Sequence, residues 1–141
     1  MVCLGNICRS PIAEGVLKKY LPKDFFFIDS AGTSSYHVGC KPDHRSIEVA
    51  KRYGIFIENQ KCRQFNVNDF KNFDHIFVMD KKNLHQVLSL LDDSKYSKKV
   101  QLLLKEEVPD PFYGGINEFV DCFKLIDKAC KKLAEKLLSN D

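Results

Sequence analysis

Residues 2–20 read VCLGNICRSPIAEGVLKKY, and this stretch decides the fold. Its first part holds small and polar residues, and Ser10-Pro11 marks a helix start with Ser10 at the N-cap and Pro11 at N1. Ile12, Val16, Leu17 and Tyr20 then fall on one helical stripe. Residues 3–10 are therefore a loop that runs into a helix N-terminus. Such a loop offers free backbone N–H groups and the positive end of a helix dipole, which together bind anions. Gly5 and Asn6 tolerate the left-handed backbone that a cradle of this kind needs. Arg9 adds a planar two-pronged donor suited to phosphate oxygens. Cys3 stands ahead of it with five residues between, where the same positive field favours the nucleophilic thiolate. One loop thus supplies an anion cradle and a nucleophile, the parts needed to attack a phosphate ester.

Outward from this loop, helix-like and strand-like segments alternate. FFFIDSAG (25–32) reads as a buried strand, DHRSIEVAKRYG (43–54) as an amphipathic helix closed by Gly54, and DHIFVMD (74–80) as a second strand. KKNLHQVLSLL (81–91) reads as a helix, KKVQLLL (98–104) as a strand, and residues 116–138 as a long final helix. Strands separated by helices predict βαβ crossovers, hence an α/β fold with a doubly wound, mostly parallel sheet and helices on both faces. Ligands bind such sheets beyond the carboxyl ends of the strands. The loops at residues 3–10, 30–43 and 106–115 are expected to meet there.

At 141 residues the chain is one domain, with 44% hydrophobic residues and 29% charged. A net charge of +3 gives no ground for a nucleic-acid partner. No apolar run approaches the roughly 18 residues of a membrane span, so no membrane partner is expected. The six cysteines, at 3, 8, 40, 62, 122 and 130, lack paired zinc spacing. With no signal peptide in view, they are read as thiols in a reducing cytosol, which gives a cytoplasmic location. Cys40, Cys62, Cys122 and Cys130 are read as small hydrophobes. His37, His44, His75 and His85 are read as surface or capping residues.

The segment VCLGNICRSPIAE resembles the active-site signature of the low-molecular-weight protein tyrosine phosphatases. The likeness continues through DSAGTSSYHVGCKPDHR, RYGI, RQF, DFKNFDHIFVMDKKN and VPDPFYGG, and so covers nearly the whole chain. It implies a single phosphatase domain over residues 1–141 with a four-stranded sheet. It also implies an apolar central strand ahead of the loop, of which only Met1-Val2 stands here; the expectation is a domain truncated at its N-terminus. The implied roles are Cys3 as nucleophile, Arg9 as clamp, and Leu4, Gly5, Asn6, Ile7, Cys8 and Arg9 as the cradle. Ser10 would hydrogen-bond the thiolate, and Asn6, Ser10 and Ser30 would brace the loop. Gln60 stands where the family often has a histidine that belongs to this network.

Asp110, between two prolines, reads alone as a rigid turn; the resemblance makes it the general acid and then the base. Tyr36, Phe112 and Tyr113 would wall a slot for an aromatic ring. Cys8 would be the redox partner of Cys3. The expected partners are phosphotyrosine-containing proteins or peptides and small aryl phosphates, with no cofactor and no metal. Turnover should peak at mildly acidic pH, where the acid is protonated and the thiolate persists. Three alternatives are a non-catalytic phosphotyrosine-binding module or inert truncated product, an arsenate reductase and a phosphoarginine phosphatase. The second needs relay cysteines, and residues 81–91 hold none; Ile7 weighs against the third, whose members tend to carry threonine there.

Overall fold

The structure, a computed structural model, describes residues 1–139. The strands are β1 (Val2–Cys3), β2 (Ala31–Gly32), β3 (Ile76–Val78) and β4 (Val100–Leu102). The helices are α1 (Arg9–Tyr20), α2 (His44–Arg52), α3 (Asp69–Asn72), α4 (Lys81–Leu88) and α5 (Ile116–Ser139), with a 3-10 turn at Ser94–Lys99. All strands are parallel, in the order β2-β1-β3-β4.

The two residues of β1 sit at the centre of the sheet. Val2 pairs with Ala31 on one side and Val78 on the other, and Cys3 pairs with Gly32. Successive strand residues point to opposite faces. Val2 therefore enters a core with Ala31, Phe65, Phe70, Ile76, Val78, Val87 and Val100, on the face covered by α3 and α4. Cys3 enters the larger core of α1, α2 and α5, with Ile12, Val16, Val49, Phe119, Phe123 and Ile126. Helices cover both faces, as the alternating pattern predicts. No helix among the described residues is long and apolar enough to cross a membrane.

Three local readings are corrected. The strand expected over 25–32 is confined to Ala31–Gly32. Phe25 and Phe26 instead close a turn on the Pro22 carbonyl, and Phe25 and Phe27 stand exposed. Helix α1 begins one residue before Ser10: Cys8 is its N-cap and Pro11 its third residue. Proline costs nothing there, because the first four helical N–H groups have no intrahelical partner. Cys40, read as a small hydrophobe, is exposed, whereas Cys62, Cys122 and Cys130 are buried.

Candidate active site

The carboxyl ends of β1, β2, β3 and β4 lie on one edge, and the loops after β1, β2 and β4 leave from it. The loop after β1 turns its carbonyls outward. Cys3 O accepts from Thr33 N at 2.9 Å, Leu4 O from Ser34 N at 2.9 Å and Ile7 O from Asp43 N at 2.8 Å. Asn6 O accepts from the Cys62 thiol at 2.8 Å, and Cys8 O from Ser46 Oγ at 3.4 Å. A loop whose carbonyls are held on its outer side is left with its N–H groups facing inward. The close approach of β2 requires glycine at position 32, where a Cβ would lie 2.8 Å from Leu4 O and 2.9 Å from Gly5 C.

Asn6 is the pivot. It alone in the loop has a left-handed backbone, with φ of 57°; Gly5, also expected to use that region, does not. Its N–H points at Cys3 Sγ, 3.3 Å away. Its Nδ2 donates to Ser10 Oγ at 2.7 Å and to Ser30 Oγ at 3.0 Å, and its Oδ1 accepts from Arg63 N at 3.0 Å. Ser30 Oγ in turn donates to the buried Glu14 Oε1 at 2.7 Å. Ser10 Oγ lies 3.0 Å from Cys3 Sγ. That oxygen accepts from Asn6, and its own proton has two acceptors in reach, the Cys3 sulfur and Ala31 O at 3.4 Å. The corrected helix start gives Ser10 this contact in place of the capping bond read from sequence. Gln60 does not join the network; its Nε2 donates to Pro11 O at 3.0 Å.

Arg9 is 2% exposed, a buried cation that must be paired. Its Nη1 donates to Asp80 Oδ2 at 2.6 Å and to Val108 O at 2.9 Å. Its Nη2 lies 3.8 Å from Asp110 Oδ2. Burial works against the charge, but Cys3, Asp80 and Asp110 outweigh it and hold the guanidinium more firmly protonated than usual. Asp80 serves two structures at once. Its Oδ1 accepts from Asn83 N at 2.8 Å, in a reciprocal capping box that starts α4, and its Oδ2 fixes Arg9.

The loop after β4 carries Asp110 on the outside. Its Oδ1 accepts from Phe112 N at 3.1 Å, a tight turn of the kind Asp between prolines predicts. Arg45 holds this loop from α2: Nη2 donates to Phe112 O and Nη1 to Gly114 O, both at 3.1 Å. Asp43 binds the same guanidinium, with Nη2 3.0 Å from its Oδ2. Phe112 is half-buried and meets the Tyr113 ring edge to face at 5.0 Å. Tyr113 is 95% exposed and Tyr36 81% exposed. Cys8 is buried, and burial followed by the charges of Asp43, Cys3 and Asp110 pushes its thiol far above the ordinary range.

Cys3, Asn6, Arg9, Ser10 and Asp110 thus come together at the sheet edge. Four supporting residues escaped the sequence reading: Asp80, Arg45, Glu14 and Arg63. Asp80 had a visible signal, an Asp immediately before a helix with Asn three positions on. Arg45 had none beyond its place two residues after Asp43.

The sequence profile described as low molecular weight phosphotyrosine protein phosphatase matches residues 1–141. The protein of that name from Schizosaccharomyces pombe is 42% identical, over 89% of this chain and 88% of its own. A protein tyrosine phosphatase from Entamoeba histolytica, solved with Hepes in its active site, superposes with a TM-score of 0.93 at 39% identity. That match covers 99% of this chain and 95% of the other. Wzb of Vibrio vulnificus, solved in complex with benzylphosphonate, gives a TM-score of 0.88 at 32% identity, over 96% and 94% of the two chains. The chain belongs to the low molecular weight phosphotyrosine protein phosphatases, a family of hydrolases.

Proposed function

We propose that this chain hydrolyses phosphotyrosine and other aryl phosphate monoesters through a phosphocysteine at Cys3. The observation that carries the reading is the convergence of three groups. The Cys3 sulfur lies 3.0 Å from Ser10 Oγ, and Arg9, anchored by Asp80, reaches to 3.8 Å from Asp110. In the first step the Cys3 thiolate attacks phosphorus and the bond from phosphorus to the aryl oxygen breaks. Asp110 gives its proton to that departing oxygen. The inward N–H groups of residues 4–9 and the Arg9 fork bind the non-bridging oxygens, whose charge is spread in the transition state. In the second step Asp110 takes a proton from water, the water oxygen bonds to phosphorus, and the sulfur–phosphorus bond breaks. The Ser10 hydroxyl stabilises the departing thiolate.

Tyr36, Phe112 and Tyr113 form the aromatic rim of this reading, and a flat phenyl ring is the substituent that they suit. The benzylphosphonate bound by Wzb carries a phenyl ring, one methylene away from its phosphorus. Cys8 is the resolving thiol in this scheme: peroxide oxidises the Cys3 thiolate to a sulfenic acid, Cys8 attacks that sulfur and the oxygen leaves as water, and a dithiol reduces the disulfide back to two thiols. The test compares p-nitrophenyl phosphate with phosphotyrosine, phosphoserine and phosphoarginine peptides, using the chain and its Cys3→Ser variant. Hydrolysis of the aryl esters by the unmodified chain alone supports the assignment. Binding of phosphotyrosine without turnover would favour the non-catalytic alternative, and preference for phosphoarginine would move the substrate class.

A further inference from the structure

We propose that Cys40 and Cys62 form a second thiol pair, a disulfide-forming site whose closure withdraws the Cys62 thiol from the Asn6 carbonyl of the Cys3–Ser10 loop. The two cysteines lie on backbones that exchange hydrogen bonds: Gly39 N donates to Cys62 O and Cys62 N to Cys40 O, both at 2.8 Å. Gly39 has φ of 86°, and Cys40 N closes a turn on His37 O at 2.9 Å. Two bonds exchanged around a left-handed glycine are the pattern of a β-bulge, in which residues 39 and 40 together face residue 62. The 2.8 Å bond from Cys62 N to Cys40 O limits their Cα atoms to at most about 6.7 Å apart, inside the roughly 4.4–6.8 Å that a disulfide spans.

The two thiols have different surroundings. Cys40 is exposed, whereas Cys62 is buried with its Sγ 2.8 Å from Asn6 O and 3.9 Å from Lys41 O. Burial, then the neighbouring Cys40, pushes the Cys62 thiol up to about 11, which keeps its proton in place as a donor. The exposed sulfur is therefore the entry point. With a small-molecule disulfide as oxidant, the Cys40 thiolate attacks one sulfur and expels one thiolate, giving a mixed disulfide. Cys62 loses its proton, attacks the Cys40 sulfur and expels the second thiol. The two cysteines are oxidised, and the reagent is reduced to two thiols. Once in the disulfide, Cys62 has no proton to give, and the buried Asn6 carbonyl loses its donor. Asn6 is the residue whose N–H and side chain reach Cys3, Ser10 and Ser30, so the change is delivered to the cradle.

The disulfide itself is independent of the phosphatase reading; only its effect on turnover rests on it. The experiment exposes the full chain to glutathione disulfide and maps linked peptides by mass spectrometry without reduction. Unmodified chain and Cys3→Ser should both give the Cys40–Cys62 link, and Cys62→Ser should stop at glutathionylated Cys40. The Ile7 amide, whose peptide bond carries the Asn6 carbonyl, should shift in the NMR spectrum on oxidation and return with dithiothreitol. Cys40→Ser should show neither the link nor the shift, and should keep its activity toward p-nitrophenyl phosphate. Unmodified chain, oxidised with its cradle protected by inorganic phosphate, should lose activity several-fold. Glutathionylated Cys40 that never proceeds to the Cys62 link would overturn the pair. A link that leaves the Ile7 amide unmoved would overturn the relay.

Discussion

The loop after β1 and the loop after β4 face each other across the site and are built in opposite ways. Asn6, Arg9 and Ser10 are buried, and five carbonyls of the first loop are each held by a donor from another segment. Asp110 and Tyr113 in the second loop are exposed, and two bonds from Arg45 hold its backbone to α2. The difference matches the tasks assigned to them. A cradle acts by preorganised donors, whose value is lost if they must reorient during the reaction. An acid must reach the leaving oxygen and then a water molecule, so it belongs on the solvent side. The first loop should therefore fail through the loss of single buried partners, and the second through displacement of the acid.

Apart from loss of the Cys3 nucleophile itself, the largest effect is expected at the second loop, through loss of its acid. Asp110→Asn should lower kcat by about 10²–10⁴-fold. It should also remove the decline of kcat with rising pH, because that decline reports loss of the acid's proton. An unchanged pH profile would break the assignment of the two loops. Next comes Asp80→Asn, which removes the carboxylate from the buried Arg9. Charge-assisted bonds contribute about 1.5–3 kcal/mol, so phosphate binding should weaken by about 10- to 150-fold. Calorimetric titration with inorganic phosphate checks this, and unchanged affinity would show that Val108 O alone suffices to hold Arg9.

Arg45→Met sharpens the contrast further. It deletes the bonds to Phe112 O and Gly114 O together with the guanidinium's contact over the Phe112 and Phe119 rings. We expect kcat to fall by about tenfold, from roughly 1–1.5 kcal/mol of lost positioning, with inorganic phosphate bound as before. A parallel loss of phosphate affinity would mean that the two loops are not separable. The smallest effect is on stability in acid. Burial tends to raise the Asp43 carboxyl, but its bonds to Arg45 outweigh that and hold it below the ordinary 3.8. A lowered value in the folded state stabilises the fold above about pH 4, and this contribution fades as pH falls through it. Asp43→Asn should therefore lower Tm slightly at neutral pH and leave it unchanged in strong acid.

The two loops were also unequally legible. The first is local: Cys3, Asn6, Arg9 and Ser10 lie within eight residues, and their types alone point to an anion cradle with a nucleophile. Asp110 acquired a role only through resemblance, since Asp between prolines is a turn in any protein. What holds both loops is non-local. Asp80 lies 71 residues from Arg9 in sequence, and Arg45 lies 67 from Phe112, so no window of sequence displays either contact. The strand read at residues 25–32 failed for a related reason. Three consecutive phenylalanines look buried, yet a strand needs a partner at the same height in the sheet. Here residues 25 and 26 close a turn on Pro22 O and no strand pairs with them, and the pattern carries no information about that.

The most direct measurement is rapid quenching of the chain during turnover of p-nitrophenyl phosphate, followed by mass spectrometry of the peptide that contains Cys3. The account predicts a phosphoryl group on Cys3 within the first turnover and none in Cys3→Ser, which should still bind inorganic phosphate. Turnover with no covalent phosphorus on Cys3, or turnover that survives Cys3→Ser, would contradict it.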